Sequence, residues 1–246
     1  MATISTDAAA PPAQLDAGWV MGATFRVLRK RVLDILIVGA PFVLLPQILA
    51  GFLPAELSRL SVVAGLPGLV FSGGVSLMTY RELTDGARLS AGEAIHRGLG
   101  KFGTLWGAGF LSGLGIALGT LLFVVPGVIL LIGWMTTSTS VMVENLTAYA
   151  ALDRAWTLTK GSRWRIAGLS GLVLLIVLGL FLAFFATVAV LALAAGEATG
   201  TMVAAFVLGP ILTLLVMAVT TVFPAAVYTG LRRTEGSAGD VAQVFA

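Results

Sequence analysis

Five hydroxyl-bearing residues in a row, Thr136, Thr137, Ser138, Thr139 and Ser140, stand inside an apolar run that extends from Gly127 to Val143. A hydroxyl in an apolar helix ordinarily bonds back to a carbonyl one turn earlier. Five together bring enough donors and acceptors to line a polar cavity or to meet lipid headgroups. A second set is basic: Arg97, Lys101, Arg154, Lys160, Arg163 and Arg165 each precede a long apolar run. Cations so placed suit the phosphates of anionic headgroups, each contributing about 1 kcal/mol of attraction near such a surface. Acid–base and metal chemistry have little to work with. Cysteine is absent, and His96 is the single histidine. A lone imidazole makes neither a metal site nor a general-base pair. The carboxylates Asp34, Glu144 and Glu197 fall at the ends of apolar runs or in a short loop, with Asp34 one turn from Lys30 and Arg31. The expectation is therefore no catalytic residue, no metal and no cofactor.

The elements that position these residues follow from composition. Hydrophobic residues make up 58% of the chain, charged residues 11%, and the mean hydropathy is +1.00. A soluble domain carries about 25% charged residues, so water is a poor solvent for this surface and a bilayer a good one. A helix needs about 20 largely apolar residues to cross the hydrocarbon core. Six runs qualify: Leu33–Leu53, Ser61–Tyr80, Leu105–Val125, Gly127–Val143, Ile166–Ala195 and Met202–Gly230. The third and fourth are separated only by Val125-Pro126-Gly127, where a tight hairpin is expected; the alternative is one long helix kinked at Pro126.

Orientation comes from the basic residues. Arg26, Arg29, Lys30 and Arg31 precede the first run. Arg81, Arg88, Arg97 and Lys101 lie between the second and third, and Arg154, Lys160, Arg163 and Arg165 between the fourth and fifth. Arg232 and Arg233 follow the sixth. Only Arg59 is left for the opposite side, so the positive-inside rule puts both termini in the cytoplasm.

The polar segments repeat. Leu15-Asp16-Ala17-Gly18, Leu89-Ser90-Ala91-Gly92 and Leu146-Thr147-Ala148-Tyr149 each lead into a helical pattern and then an apolar pair. Met21, Phe25, Leu28 and Val32 align with Ile95, Leu99, Phe102 and Trp106, a spacing that forms one helical stripe. Ala94 and Arg97 recur as Ala151 and Arg154, with one inserted residue near Lys160-Gly161. The fold class expected is all-α integral membrane, with six transmembrane helices in three pseudo-repeats. Each repeat opens with an amphipathic helix lying in the interface. The expected organisation is a disordered cytoplasmic tail over 1–14, a six-helix domain over 15–233 and a cytoplasmic C-terminal tail over 234–246.

Two patterns are set aside. Gly98-Leu99-Gly100-Lys101-Phe102-Gly103 fits G-x-G-x-x-G, but no strand precedes it. Rows of Trp and Phe beside the basic residues favour lipid over nucleic acid. Gly109 with Gly113, and Gly115 with Gly119, have the four-residue spacing that lets helix backbones approach.

The stretch Pro126-Gly127-Val128-Ile129-Leu130, then Glu144, then Ala151 to Gly161 and Arg163-Trp164-Arg165, resembles the membrane domain fused to some bacterial glycerophosphoryl diester phosphodiesterases and related stand-alone membrane proteins. The closing Tyr228-Thr229-Gly230-Leu231-Arg232-Arg233 resembles the end of that family, and the likeness spans roughly residues 15–235. The resemblance implies a bacterial inner-membrane module that engages lipid or supports a membrane-protein partner. It does not imply the phosphodiesterase, which belongs to a separate soluble domain. The expected function is thus a non-enzymatic, multi-pass module contacting anionic lipid on the cytoplasmic side. The alternatives are a small-solute transporter or channel built around the hydroxyls of the fourth run and, last, a membrane enzyme acting on lipid headgroups.

Overall fold

Backbone amides in hydrocarbon must bond to one another, and here they do so as helices. The computed structural model describes residues 15–46, 66–195, 202–203 and 207–244, and every regular element among them is helical. In chain order these are α1 (Ala17–Lys30), α2 (Val32–Gly39, continued by a π turn over Ala40–Leu44), α3 (Pro67–Thr84), α4 (Ala91–Gly100), α5 (Phe102–Leu122), α6 (Val124–Trp134), α7 (Thr137–Glu144), α8 (Ala148–Thr159), α9 (Arg163–Ala195) and α10 (Gly209–Val244). Among the described residues, four stretches are long and apolar enough to cross a membrane: Phe102–Leu122, Val124–Glu144, Arg163–Ala194 and Gly209–Gly236. The chain is an all-helical membrane protein.

Of the first expected crossing, residues 33–46 are described, most of them in the short apolar stretch Val32–Leu44; its remainder, like the 1–14 tail, Arg59 and Glu197, lies outside the described residues. The second corresponds to α3, which is buried continuously from Gly73 to Thr79. The segment beyond 233 begins as a continuation of α10 to Val244.

The three repeated polar segments each start a helix. Asp16, Ser90 and Thr147 are the N-caps of α1, α4 and α8, all with extended backbone. The Asp16 side chain accepts from the Trp19 amide at 3.1 Å, and the Ser90 hydroxyl from the Glu93 amide at 3.2 Å. Such caps satisfy amides that have no partner inside the helix. The preceding Leu15 and Leu89 are buried. At the far end a single non-helical basic residue joins the amphipathic helix to the apolar one: Arg31 (φ −113°, ψ 18°) between α1 and α2, and Lys101 (φ −109°, ψ 8°) between α4 and α5. The third junction is longer, with Gly161 at φ 90°, a conformation that favours glycine and accounts for the inserted residue.

Against protein these helices bury a face other than the large apolar stripe, which the interfacial reading turns to acyl chains. The faces turned inward carry Val20, Ala23, Thr24 and Val27 on α1 and Ala91, Ala94 and Gly98 on α4. The large apolar stripe remains partly outward, with Phe25 and Leu99 each 52% exposed and Val32 and Trp106 also exposed. Small residues face protein because they permit close approach. A Cβ on Gly98 would stand 2.8 Å from the Val70 carbonyl oxygen, and one on Gly74 would stand 3.0 Å from that of Ala94. Gly98 therefore serves helix packing and not a phosphate loop.

The hairpin turns at Phe123 (φ −158°, ψ 146°), earlier than the Val125-Pro126-Gly127 expected from sequence. Pro126 lies in the first turn of α6, where its missing N–H costs nothing. The extended backbone at Phe123 rules out a single kinked helix. Gly119 and Gly127 close the seam: a Cβ on Gly119 would meet the Gly127 Cα at 3.3 Å, and one on Gly127 would collide with Thr120. Gly115 leaves room for the Trp134 ring, while Gly113 faces open space.

Two helices form the centre, α3 and the stretch Val222–Tyr228 of α10, where Val222, Ala225, Ala226, Val227 and Tyr228 are fully buried. The outlier is α9. Only 6% of its apolar window is buried within the protein.

Substituting Gly98→Val should lower stability in detergent by about 1–3 kcal/mol through overpacking, read as a fall in melting temperature. Gly100→Val, on the same helix with nothing within 4 Å of its Cβ, should cost less. Equal losses would show that the α3–α4 crossing does not hold α4 in place.

Candidate functional site

Polar groups collect in three places. The first is a belt of ion pairs joining helix ends. Glu82, near the end of α3, receives both Lys30 and Arg31 from the α1–α2 junction, and Arg31 also holds Asp34 at 2.9 Å. Arg31 and Glu82 are 2% and 6% exposed, so each charge depends on the other. Burial alone would lower the Arg31 pKa, but hydrogen bonds to Asp34 and Glu82 outweigh it and raise it. Burial likewise pushes the Glu82 carboxyl up, yet hydrogen bonds from Lys30 and Arg31 prevail and hold it below the usual carboxylate range.

The second ionic joint centres on Glu144, which closes α7. Its Oε1 accepts from Tyr228 Oη at 2.6 Å, Arg232 Nη1 at 2.8 Å and Arg154 Nε at 3.1 Å. Arg154 extends to Glu235 with Nη1 at 3.0 Å and Nη2 at 2.7 Å. The bond to Glu235 is the largest influence on Arg154 and raises its pKa. Tyr228 and Arg232 are four apart and so share a face of α10, but their partner is 84–88 residues away. Sequence showed the carboxylate at a helix end without showing what it binds. Arg233 adds a further tie, donating to the Leu83 carbonyl at 2.6 Å with its guanidinium 4.4 Å from the Trp19 ring centre.

The remaining basic candidates are distributed differently. Arg163 stacks over Trp156 at 3.6 Å, and Arg165 reaches the Leu15 carbonyl at 3.3 Å. Lys160 is exposed on the turn before α9. Arg97 and Lys101 are brought together in an open notch of about 410 Å3 with His96 and Asn145, over an apolar floor of Leu77 and Met142. Arg97 pairs with Glu93 at 2.6 Å, with both side chains about two-fifths exposed. An exposed pair of this kind is weak, and a guanidinium has five N–H donors, so it retains donors for a phosphate.

The third place is midway along the Val124–Glu144 span. The helix is interrupted at Met135 and Thr136, the turn between α6 and α7. Thr137 Oγ1 donates to the Trp134 carbonyl at 2.6 Å and Ser140 Oγ to the Thr136 carbonyl at 3.2 Å. Thr136 and Thr139, with Ser76 of α3, hold buried hydroxyls without a hydrogen-bond partner. Thr137 and Ser138 instead line a cavity of about 170 Å3 with Ser72 of α3 and Ser112 of α5. The hydroxyl run was visible in sequence; the break in the helix was not.

No family model, curated protein or solved structure is similar to this chain.

The ionic belt generates a pH dependence. Glu82 has a lower pKa folded than unfolded, so its contribution is complete above the ordinary carboxylate range and is lost as pH falls toward the folded value. Arg31→Ala should cost about 3 kcal/mol, the lower end for breaking a buried pair, because Lys30 still meets Glu82. Glu82→Gln should lower the melting temperature at pH 7 and reduce the further loss on acidification. If acidification destabilises Glu82→Gln as much as the unaltered protein, Glu82 is not the titrating group.

Proposed function

We propose that this chain is a non-enzymatic, multi-pass module of a bacterial inner membrane that holds anionic lipid headgroups on its cytoplasmic face. The observation that carries this reading is the notch of Arg97, Lys101, His96 and Asn145 above Leu77 and Met142. Cationic donors over an apolar floor match an amphiphile with a phosphate at one end and acyl carbon at the other. Lys101 sits at the break between α4 and α5, where an ammonium can reach up toward phosphate while its stem stays on apolar surface. The outward Phe25 and Leu99 suit helices lying among acyl chains.

In this reading the chain crosses the membrane six times in three units, with both termini cytoplasmic. Three helices beginning at the three repeated segments, two of them capped by a side chain, support the unit. The belt joining Lys30, Arg31, Arg154, Arg232 and Arg233 to the ends of α3 and α7 supports a single cationic side. Arg154 serves that belt, whereas Lys160 and Arg165 extend the headgroup surface and Arg163 flanks it. The resemblance to the phosphodiesterase membrane-domain family agrees with a role in lipid engagement or support of a membrane-protein partner. A second reading, a conduit for a small solute, is favoured by the hydroxyl-lined cavity at the α6–α7 break.

Replacing Arg97 and Lys101 together with Gln should remove about 2 kcal/mol of attraction at roughly 1 kcal/mol per charge, about thirtyfold in affinity. Native mass spectrometry from mixed phosphatidylglycerol and phosphatidylcholine would read this as lost retention of the anionic lipid with the zwitterionic lipid unchanged. Undiminished phosphatidylglycerol retention would remove the headgroup role of the notch.

A further inference from the structure

The hydroxyl-lined cavity does not stand alone. Ser112, Trp134 and Met135 line it and also line a second compartment of about 310 Å3, open on its outer side, beside Ser170 of α9 and Thr220 and Pro224 of α10. The Trp134 ring lies against Gly115, whose missing Cβ leaves it room, and Trp134 is the one aromatic residue that lines both spaces. Each compartment has in its wall a helix that lacks a ladder hydrogen bond. On one side the ladder breaks at Met135 and Thr136. On the other, Pro224 has no N–H to give the Thr220 carbonyl one turn earlier. The Ser170 hydroxyl is buried in the second compartment without a hydrogen-bond partner. Interrupted backbone at this depth is tolerated where it is packed in protein or lines a hydrated cavity. No charged residue lines either space, and a charged guest would lie unpaired in low dielectric. Ser112 and Thr137 donate to the Gly109 and Trp134 carbonyls and so present acceptors, while the Ser72 and Ser138 hydroxyls can also donate, together the chemistry that recognises an alcohol or an amide.

We infer that Ser72, Ser112, Thr137 and Ser138 form a hydrated intramembrane binding site for a small uncharged polar solute, divided by the Trp134 indole from a second compartment at Ser170 and Pro224. This site is independent of the cationic notch, and its occupancy requires neither Arg97 nor Lys101.

The absence of native cysteine makes the test direct. Ser138→Cys, Ser72→Cys and, on the outer face of α5, Leu118→Cys would each be reconstituted in phosphatidylcholine vesicles. They would then be treated with N-ethylmaleimide and weighed by mass spectrometry. Maleimide consumes the thiolate, and an apolar environment keeps a thiol protonated, so Ser138→Cys and Ser72→Cys should react about tenfold or more faster than Leu118→Cys. Molar glycerol, as the neutral polar probe, should slow the first two and leave the third unchanged. Reaction of the two Ser variants no faster than Leu118→Cys would overturn the hydrated cavity. Rates indifferent to glycerol would overturn the solute site. Because Ser138 and Ser72 lie on different helices, a folding failure of one variant leaves the other to read the same space. Adding Trp134→Leu, or Trp134→Phe if the first does not fold, to Ser170→Cys should raise its rate toward that of Ser138→Cys. An unchanged rate would overturn the partition.

Discussion

A chain with so few charges must neutralise each one it keeps near hydrocarbon, and the ion pairs at the helix ends are where it does so. Glu82 and Glu144 close α3 and α7, and each gathers cations from other elements, Arg31 and Arg232 from far away in sequence. Bare carboxylates there would face a large desolvation cost. Matched with Arg31, or with Arg154, Arg232 and Tyr228, they become joints that fix where one helix ends relative to the next. Apolar side chains cannot do this alone, because lipid tails solvate leucine about as well as another helix does.

The remaining packing uses close approach. Gly98 against the Val70 carbonyl, Gly74 against the Ala94 carbonyl and Gly119 against Gly127 bring backbones within van der Waals reach, where dispersion is strongest. The larger apolar side chains are left on the outside. Phe110, Leu114 and Leu118 on α5 and Leu174, Leu178, Leu182 and Phe185 on α9 are exposed, the reverse of a water-soluble bundle. The polar interior is correspondingly small: a run of hydroxyls, a broken helix, and a proline where an amide is missing.

The sequence made the long apolar runs, the start of each amphipathic helix and the presence of a hairpin legible, because those depend on composition, local capping and punctuation. It placed the hairpin slightly late, since Pro126 reads as a stop but is accommodated in a first turn. It named Asp34 and Arg31 as neighbours because they are three apart. It missed the Glu144 joint for the opposite reason: Arg154 meets Glu235 across 81 residues, and no local pattern encodes that. It read the large apolar stripe of α1 and α4 as turned to acyl chains and named no residues for the face that meets protein. Small residues won that position because backbone contact with α3 leaves no room for larger ones.

The claim on which all of this rests is that lipid covers what protein leaves bare, and α9 is its clearest instance. Residues 174–193 have little protein contact, and an isolated helix in water opens readily. Hydrogen–deuterium exchange in lipid nanodiscs compares this stretch with α3. Slow exchange in 174–193, matching that of the buried α3 amides, is the predicted result. Rapid exchange there, with α3 protected, would place α9 in water and contradict the account.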